Sequence, residues 1–223
     1  MPTYTCKLNQ RKWLSDITFE VELTRPAGFE FLAGQNLCFY FQNVERYFAP
    51  LSAPAEPSLK LCVYLMESGI FTPALATADI GTRFTFSGPH GHFLFRPSDR
   101  RPIFVATGTG IVPFLSMARS GIRGFTLLHI VPQNEELYYR EYFEKTADAY
   151  VPCIPDSIQP EGDMLSLPAD KALDYLAQHL PVNAYDFYLC GNQSMIRDVT
   201  LFVDRRYPDS MVYTEVFYRS RRS

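Results

Sequence analysis

Apolar and polar side chains alternate strictly along Ile17-Thr18-Phe19-Glu20-Val21-Glu22-Leu23-Thr24. A period of two puts every apolar residue of the run on one face of a strand and every polar residue on the other. Further short runs rich in aromatic and β-branched residues cover Asn36 to Phe41, Leu59 to Leu65 and Thr82 to Ser87, with Ala33-Gly34, Ala53-Pro54 and Gly81 between them as turn formers. Short, regularly spaced strands without strong helical periodicity predict an N-terminal antiparallel β-barrel. The pattern changes at Arg96-Pro97-Ser98-Asp99-Arg100-Arg101-Pro102, a polar stretch that reads as a linker. Beyond it, strands are expected over Ile103–Ala106, Phe125–Val131, Asp186–Leu189 and Met211–Val216, and helices over Pro113–Ser120, Leu137–Thr146, Lys171–Leu180 and Gln193–Asp204. Strand and helix in alternation predict a C-terminal α/β domain with a parallel sheet covered on both faces. The expected division is residues 1–99 and 100–223.

Composition narrows the picture by exclusion. With 47% hydrophobic and 20% charged residues the chain has the make-up of a folded protein, and 223 residues suffice for two domains. A net charge of −3 gives no reason to expect nucleic acid, and Arg219-Ser220-Arg221-Arg222 reads as a solvated tail. No apolar run approaches the roughly 18 residues of a membrane span, and the N-terminus lacks a secretory pattern. A cytoplasmic location with reduced thiols is therefore expected. Cys6, Cys38, Cys62, Cys153 and Cys190 are too scattered for a zinc site or an iron–sulfur cluster. His90-Gly91-His92 has no third ligand nearby and reads as a turn, so no metal is expected. His129, on an apolar strand, reads as a satisfied core histidine.

The chemistry concentrates at Thr107-Gly108-Thr109-Gly110-Ile111-Val112-Pro113, between the first strand of the second half and its first helix. Glycines there let the backbone approach a ligand closely, and a helix N-terminus offers N–H groups to an anion. Pro113 suits a first helical turn, where its missing donor costs nothing. It also stands where the third glycine of a full dinucleotide fingerprint would be.

Six elements in order carry a wider resemblance. They are Arg46-Tyr47-Phe48-Ala49, Gly69-Ile70-Phe71-Thr72, Gly88-Pro89-His90-Gly91-His92-Phe93, Gly108-Thr109-Gly110-Ile111-Val112-Pro113, Cys190-Gly191-Asn192-Gln193-Ser194-Met195 and Glu215-Val216-Phe217. In this order the chain resembles the ferredoxin–NADP reductase superfamily, and its second half looks most like the reductases of oxygenase systems. The resemblance implies FAD on the barrel, held by Arg46, Tyr47, Phe48, Ala49, Val63, Tyr64, Gly69, Ile70, Phe71 and Thr72. Arg46 would neutralise a flavin phosphate, Thr72 would take the pyrophosphate, Phe48 would lie against the isoalloxazine ring and Phe217 would cover it. NAD(P)H would meet Thr107, Gly108, Thr109, Gly110, Pro113, Gly191, Asn192 and Met195. Cys190 would sit near the nicotinamide, and Glu215 is a candidate proton donor.

Two departures touch the flavin. Phe48 stands for the usual tyrosine, and Ala49 for the serine or threonine that donates a hydrogen bond near flavin N5. The loss of that bond, worth about 0.5–1.5 kcal/mol, would shift the flavin potential. A third concerns the nucleotide: Val131-Pro132-Gln133-Asn134-Glu135-Glu136 holds two acids and no arginine, which favours NADH over NADPH, with Arg140 one turn further on. Three functions follow from the resemblance. One is an NADH-dependent reductase passing electrons to a separate protein acceptor, a ferredoxin or an oxygenase component. The second is a flavin reductase with flavin as a diffusing substrate, and the third is a non-catalytic flavin- or nucleotide-binding regulatory subunit.

Overall fold

The structure is a computed structural model that describes residues 2–156 and 167–217; the basic cluster at 219–222 lies outside the described residues. The chain forms two compact units, one of the residues to Phe95 together with Val112–Gly121, the other of Arg96–Ile111 together with the residues from Ile122 onward.

The first unit is a six-stranded antiparallel sheet built from β1 (Thr3–Trp13), β2 (Thr18–Thr24), β3 (Asn36–Phe41), β4 (Val44–Phe48), β5 (Ser58–Tyr64) and β6 (Arg83–His90). Its order is β4-β3-β6-β1-β2-β5. The alternation that marks β2 does what period two requires: Phe19, Val21 and Leu23 are buried while Glu20, Glu22 and Thr24 are partly exposed. The buried faces close on an aromatic core in which Phe39 lies 5.4 Å from Phe86 and 5.7 Å from Phe71. A short helix, α1 (Phe71–Thr77), plugs this core with Phe71 and Leu75, both 1% exposed. The strand periodicity of this half did not announce a helix, because a seven-residue helix with four buried positions shows no amphipathic repeat. β1 and β4 were also unread as strands. β1 is mostly polar and exposed, with only Cys6 and Leu8 fully buried, and β4 carries Arg46 and Glu45 among its five residues.

β4 and β5 are the two ends of the sheet and do not pair with each other. The chain that follows β4 does reach β5, where Leu51 N–H donates to the Lys60 carbonyl at 2.8 Å. Continued antiparallel from that contact, Phe48 would fall opposite Val63 and Tyr47 opposite Tyr64, yet no ladder forms there. The barrel wall is thus sewn at one end and split at the other. The ring of Phe48 packs towards the core, 5.6 Å from the ring of Phe71.

The second unit has five parallel strands, β7 (Arg101–Thr107), β8 (Thr126–Ile130), β9 (Ala149–Cys153), β10 (Tyr185–Gly191) and β11 (Met211–Val216), in the order β11-β10-β7-β8-β9. β8 and β10 are buried along their whole length, which fits their mostly apolar sequences. α3 (Arg140–Thr146), α4 (Asp170–His179) and α5 (Gln193–Arg206) connect the strands, while α2 (Val112–Arg119) belongs to the first unit. Two expectations are corrected here. Arg101 and Pro102 open β7 and are not linker. The helix expected from Leu137 starts only at Arg140, because Tyr139 takes a left-handed φ of 62° that ends the preceding turn.

Candidate functional site

Each unit presents one assembly of the expected residues. In the first, Arg46, Tyr47 and Phe48 lie on β4 with Ala49 directly after it, and Val63 and Tyr64 end β5, the opposite end strand of the sheet. The turn after β5 carries Gly69, Ile70, Phe71 and Thr72 into α1. β4 alternates, so Arg46 and Phe48 share the face of Phe39 and Leu37, their cross-strand partners, while Tyr47 stands on the opposite face, 56% exposed. Val63 and Phe71 are core side chains, and Ile70 is exposed. Two sheet edges held apart by a packed core suit a flat ligand with hydrogen-bonding edges. Gly69 fits the same purpose, since a Cβ there would come within 3.0 Å of the Met66 carbonyl oxygen. The Thr72 hydroxyl is already engaged: it accepts from Met66 N–H at 2.9 Å and donates to the Met66 carbonyl at 3.3 Å. Ser52, which sequence reasoning passed over, is fully buried at the sewn end, where its hydroxyl accepts from Lys60 N–H and its carbonyl from the Ser116 hydroxyl.

In the second unit strand order reverses between β7 and β10, the position where open α/β sheets bind ligands beyond their strand C-termini. The loop Gly108–Ile111, a tight 3₁₀ turn, leaves β7 there, and Cys190-Gly191-Asn192 leaves β10. The two loops nest so closely that glycine is obligatory in both. A Cβ on Gly110 would lie 2.3 Å from the Cys190 carbonyl oxygen, and one on Gly191, whose φ is +141°, would lie 1.9 Å from Thr107 Oγ1. The Thr107 hydroxyl locks the pair by accepting from Asn192 N–H at 2.8 Å. Asn192 caps α5, its side chain accepting from Met195 N–H at 2.7 Å. The Met195 side chain itself packs in the core, so only its backbone joins the site. Phe217 is pinned beside the same loop by its N–H to the Gly191 carbonyl at 3.0 Å. Pro113 lies in α2, and so in the first unit. Gly110 and Gly191 thus both serve the packing of one loop against the other at the C-terminal ends of β7 and β10.

The candidate chemical groups are set by burial. Cys190 is fully buried, and burial first, then the nearby Glu215 carboxylate, pushes its thiol well above the ordinary range. Glu215 stands next to it in register on β11 and is partly exposed. Glu136, in the segment between β8 and α3, is 3% exposed; burial raises its carboxyl, against a hydrogen bond from Gln133 that lowers it. Arg140 is held by Glu144 at 2.7 Å. Among the described residues no group of three or more His, Cys, Asp or Glu is placed to hold a metal ion. No helix of the described residues is long and apolar enough to cross a membrane.

Comparison with known proteins agrees with this division of labour. Residues 5–95 match the oxidoreductase FAD-binding domain family and residues 104–200 the oxidoreductase NAD-binding domain family. The phenol hydroxylase P5 protein of Acinetobacter pittii is 29% identical over 219 residues, covering 88% of this chain and 60% of its own. Ferredoxin–NADP reductase B of Sorangium cellulosum is 33% identical over 147 residues, 60% of each chain. The chain thus spans about 60% of the length of these curated relatives. A ferredoxin NADP⁺ reductase from Neisseria gonorrhoeae, solved with bound FAD and NADP, superposes with a TM-score of 0.77 at 22% identity, over 97% of this chain and 99% of its own. With a FAD-binding domain over residues 5–95 and a NAD-binding domain over residues 104–200, in the fold of a ferredoxin–NADP⁺ reductase, this chain belongs to the FAD- and NAD-binding oxidoreductases.

Proposed function

We propose that the chain is an NADH-dependent reductase that holds FAD and delivers electrons to a separate protein acceptor, a ferredoxin or an oxygenase component. The observation that carries this reading is the pairing in one chain of a FAD-binding domain, whose sheet ends β4 and β5 stay unpaired, with a NAD-binding domain whose glycine loops sit at the switch point. FAD held there would supply the hydride acceptance and the onward release of electrons. The chain's own residues bind and orient. Arg46, Phe48, Ala49, Val63 and Tyr64 frame the flavin ring and its phosphates, with Gly69–Thr72 at the helix start. Thr107 to Gly110 and Gly191 frame the dinucleotide. Cys190 stays protonated and supplies a small uncharged side chain rather than a nucleophile. The register of Glu215 beside Cys190 supports a role for its carboxyl in holding a proton there. The likeness to a phenol hydroxylase protein supports an oxygenase component as acceptor. Five free buried cysteines support a reducing, cytoplasmic compartment. Under anaerobic conditions NADH is expected to bleach the flavin band of the purified holoprotein within seconds; a band that persists would end the reductase reading and leave a regulatory subunit.

Preference for NADH is supported by two features of the segment between β8 and α3. Glu136 occupies the buried position there, and Arg140, the nearest arginine along the chain, is engaged with Glu144. A 2′-phosphate therefore meets acid where it needs a bidentate cation. The expected kcat/KM for NADH exceeds that for NADPH by about tenfold or more. Steady-state rates with a one-electron dye as acceptor measure it, and parity between the two nucleotides would refute the assignment.

One observation favours a second reading. The Thr72 hydroxyl is spent on Met66, which weakens the case for a firm pyrophosphate anchor and fits a flavin that comes and goes as substrate. Flavin content after gel filtration separates the two: about one flavin per chain retains the bound-FAD reading, and near zero replaces it.

A further inference from the structure

β8 is buried end to end, yet it carries a histidine among Thr126, Leu127, Leu128 and Ile130. An imidazole in such a place costs free energy unless its nitrogens are bonded, and an apolar side chain would be cheaper. Both nitrogens of His129 are bonded. Nε2 lies 3.0 Å from the carbonyl oxygen of Gly108, and Nδ1 lies 3.0 Å from the hydroxyl of Tyr150. The three residues sit on, or directly after, neighbouring strands. His129 pairs with Ala106 on β7 and with Pro152 on β9, so Gly108 and Tyr150 are each two residues along from a direct partner. The result is a diagonal hydrogen-bonded rail across β7, β8 and β9 that ends on the glycine loop.

The tautomer follows from the partners. A carbonyl oxygen only accepts, so Nε2 must carry the hydrogen, and Nδ1 is then left to accept from the Tyr150 hydroxyl. The far end of the rail is held in place by packing, since the Tyr150 ring stacks on Phe143 of α3 at 6.0 Å and 13°. Burial keeps the imidazole neutral by pushing its pKa down to about 4, and it drives the Tyr150 hydroxyl up to a range where it stays protonated.

We propose that His129 is a positioning residue of the pyridine-nucleotide site, setting the peptide plane of the glycine loop through its hydrogen bond to the Gly108 carbonyl. A trans peptide points its C=O and the next N–H in opposite directions. Fixing the Gly108 carbonyl on the imidazole therefore aims the Thr109 N–H away from His129, as a donor to a bound anion. The left-handed φ of +49° at Gly108 is one that glycine enters without strain, and His129 holds the orientation that follows from it. The inference rests on the nucleotide-binding reading of the loop and adds the residue that orients it.

The test uses holoprotein and ADP-ribose, which keeps the pyrophosphate and cannot reduce the flavin. Calorimetric titration is expected to show a Kd for His129→Leu raised about tenfold over wild type, the scale of one buried hydrogen bond. His129→Gln, whose Nε2 can still donate to the Gly108 carbonyl, is expected to recover to within about threefold. Tyr150→Phe, which removes only the second bond of the rail, should fall between them. In all three the visible flavin spectrum should be unchanged. Wild-type affinity in a folded His129→Leu would overturn the proposal, as would equal losses in the Leu and Gln variants, which would assign the effect to packing. If wild type itself binds no ADP-ribose, the nucleotide reading of the loop falls too. Should the leucine variant fail to fold, ¹⁵N NMR of wild type decides: Nε2 protonated, Nδ1 bare and no titration between pH 5.5 and 8 are expected, and the opposite tautomer would sink the rail.

Discussion

Gly191→Ala is expected to lower folding stability by about 3 kcal/mol and to remove measurable ADP-ribose binding from whatever still folds. Two effects add at this position. A φ of +141° is a region that only glycine enters without strain. A methyl group there would also collide with Thr107 Oγ1 at 1.9 Å and with Thr107 N at 2.9 Å. Neither neighbour can yield cheaply, because Thr107 is 4% exposed and its hydroxyl holds Asn192 N–H. The conflict therefore spreads to the α5 cap and to the Gly108 loop together. Gly81→Ala makes the control, with φ +94° and nothing within 4 Å of the added carbon. It carries backbone strain alone and should cost about 1 kcal/mol. Urea midpoints of both variants against wild type measure the difference, and equal losses would mean that the nesting of the two loops contributes nothing.

The second large effect is on acid stability. His129 has a native pKa of about 4 against an ordinary value of 6.5. Between those values the unfolded chain binds a proton that the native protein refuses, so stability falls as pH drops from about 6.5 and the loss levels off near 4. Two and a half units correspond to roughly 3 kcal/mol. His129→Gln has no such proton to take up. Its stability should therefore decline less steeply across the same window, with the gap between variant and wild type narrowing by about 2–3 kcal/mol from pH 7 to pH 4.5. Carboxylates elsewhere titrate in both proteins and cancel in the comparison. Parallel curves would show that His129 is not held neutral in the native state.

Much of this fold could be read along the chain wherever burial falls on one face or on all. β2 was legible because Phe19, Val21 and Leu23 point one way, and β3 and β11 were placed to the residue. β1 escaped because it is mostly exposed and polar, and α1 because its job is to plug a core rather than to cover one. β9, Ala149-Tyr150-Val151-Pro152-Cys153, carries a proline that argues against a strand, yet it sits at the sheet edge, where a missing donor is tolerated. The glycine loop was legible from its place between strand and helix together with the order of the six elements, but the reason for each glycine was not. That reason lies in the Cys190 carbonyl and the Thr107 hydroxyl, 80 or so residues away along the chain. His129 was correctly read as a satisfied core histidine. Its partners were beyond reach, since a hydrogen bond to Gly108 requires knowing that β7 and β8 are neighbours in register.

The half-sewn wall of the barrel has a consequence for how this protein is made. Strand edges without a partner are templates for other chains, and proteins normally blunt them with charge, twist or cover. Here Glu45 and Arg46 put charge on one rim, and the ring of Phe48 packs towards the core beside that of Phe71. In the reading proposed here, the opening takes the cofactor. Flavin supply during synthesis therefore bears on more than activity: a chain that outruns it emerges with two sheet margins exposed, and the yield of undamaged protein becomes a question of aggregation as much as of catalysis.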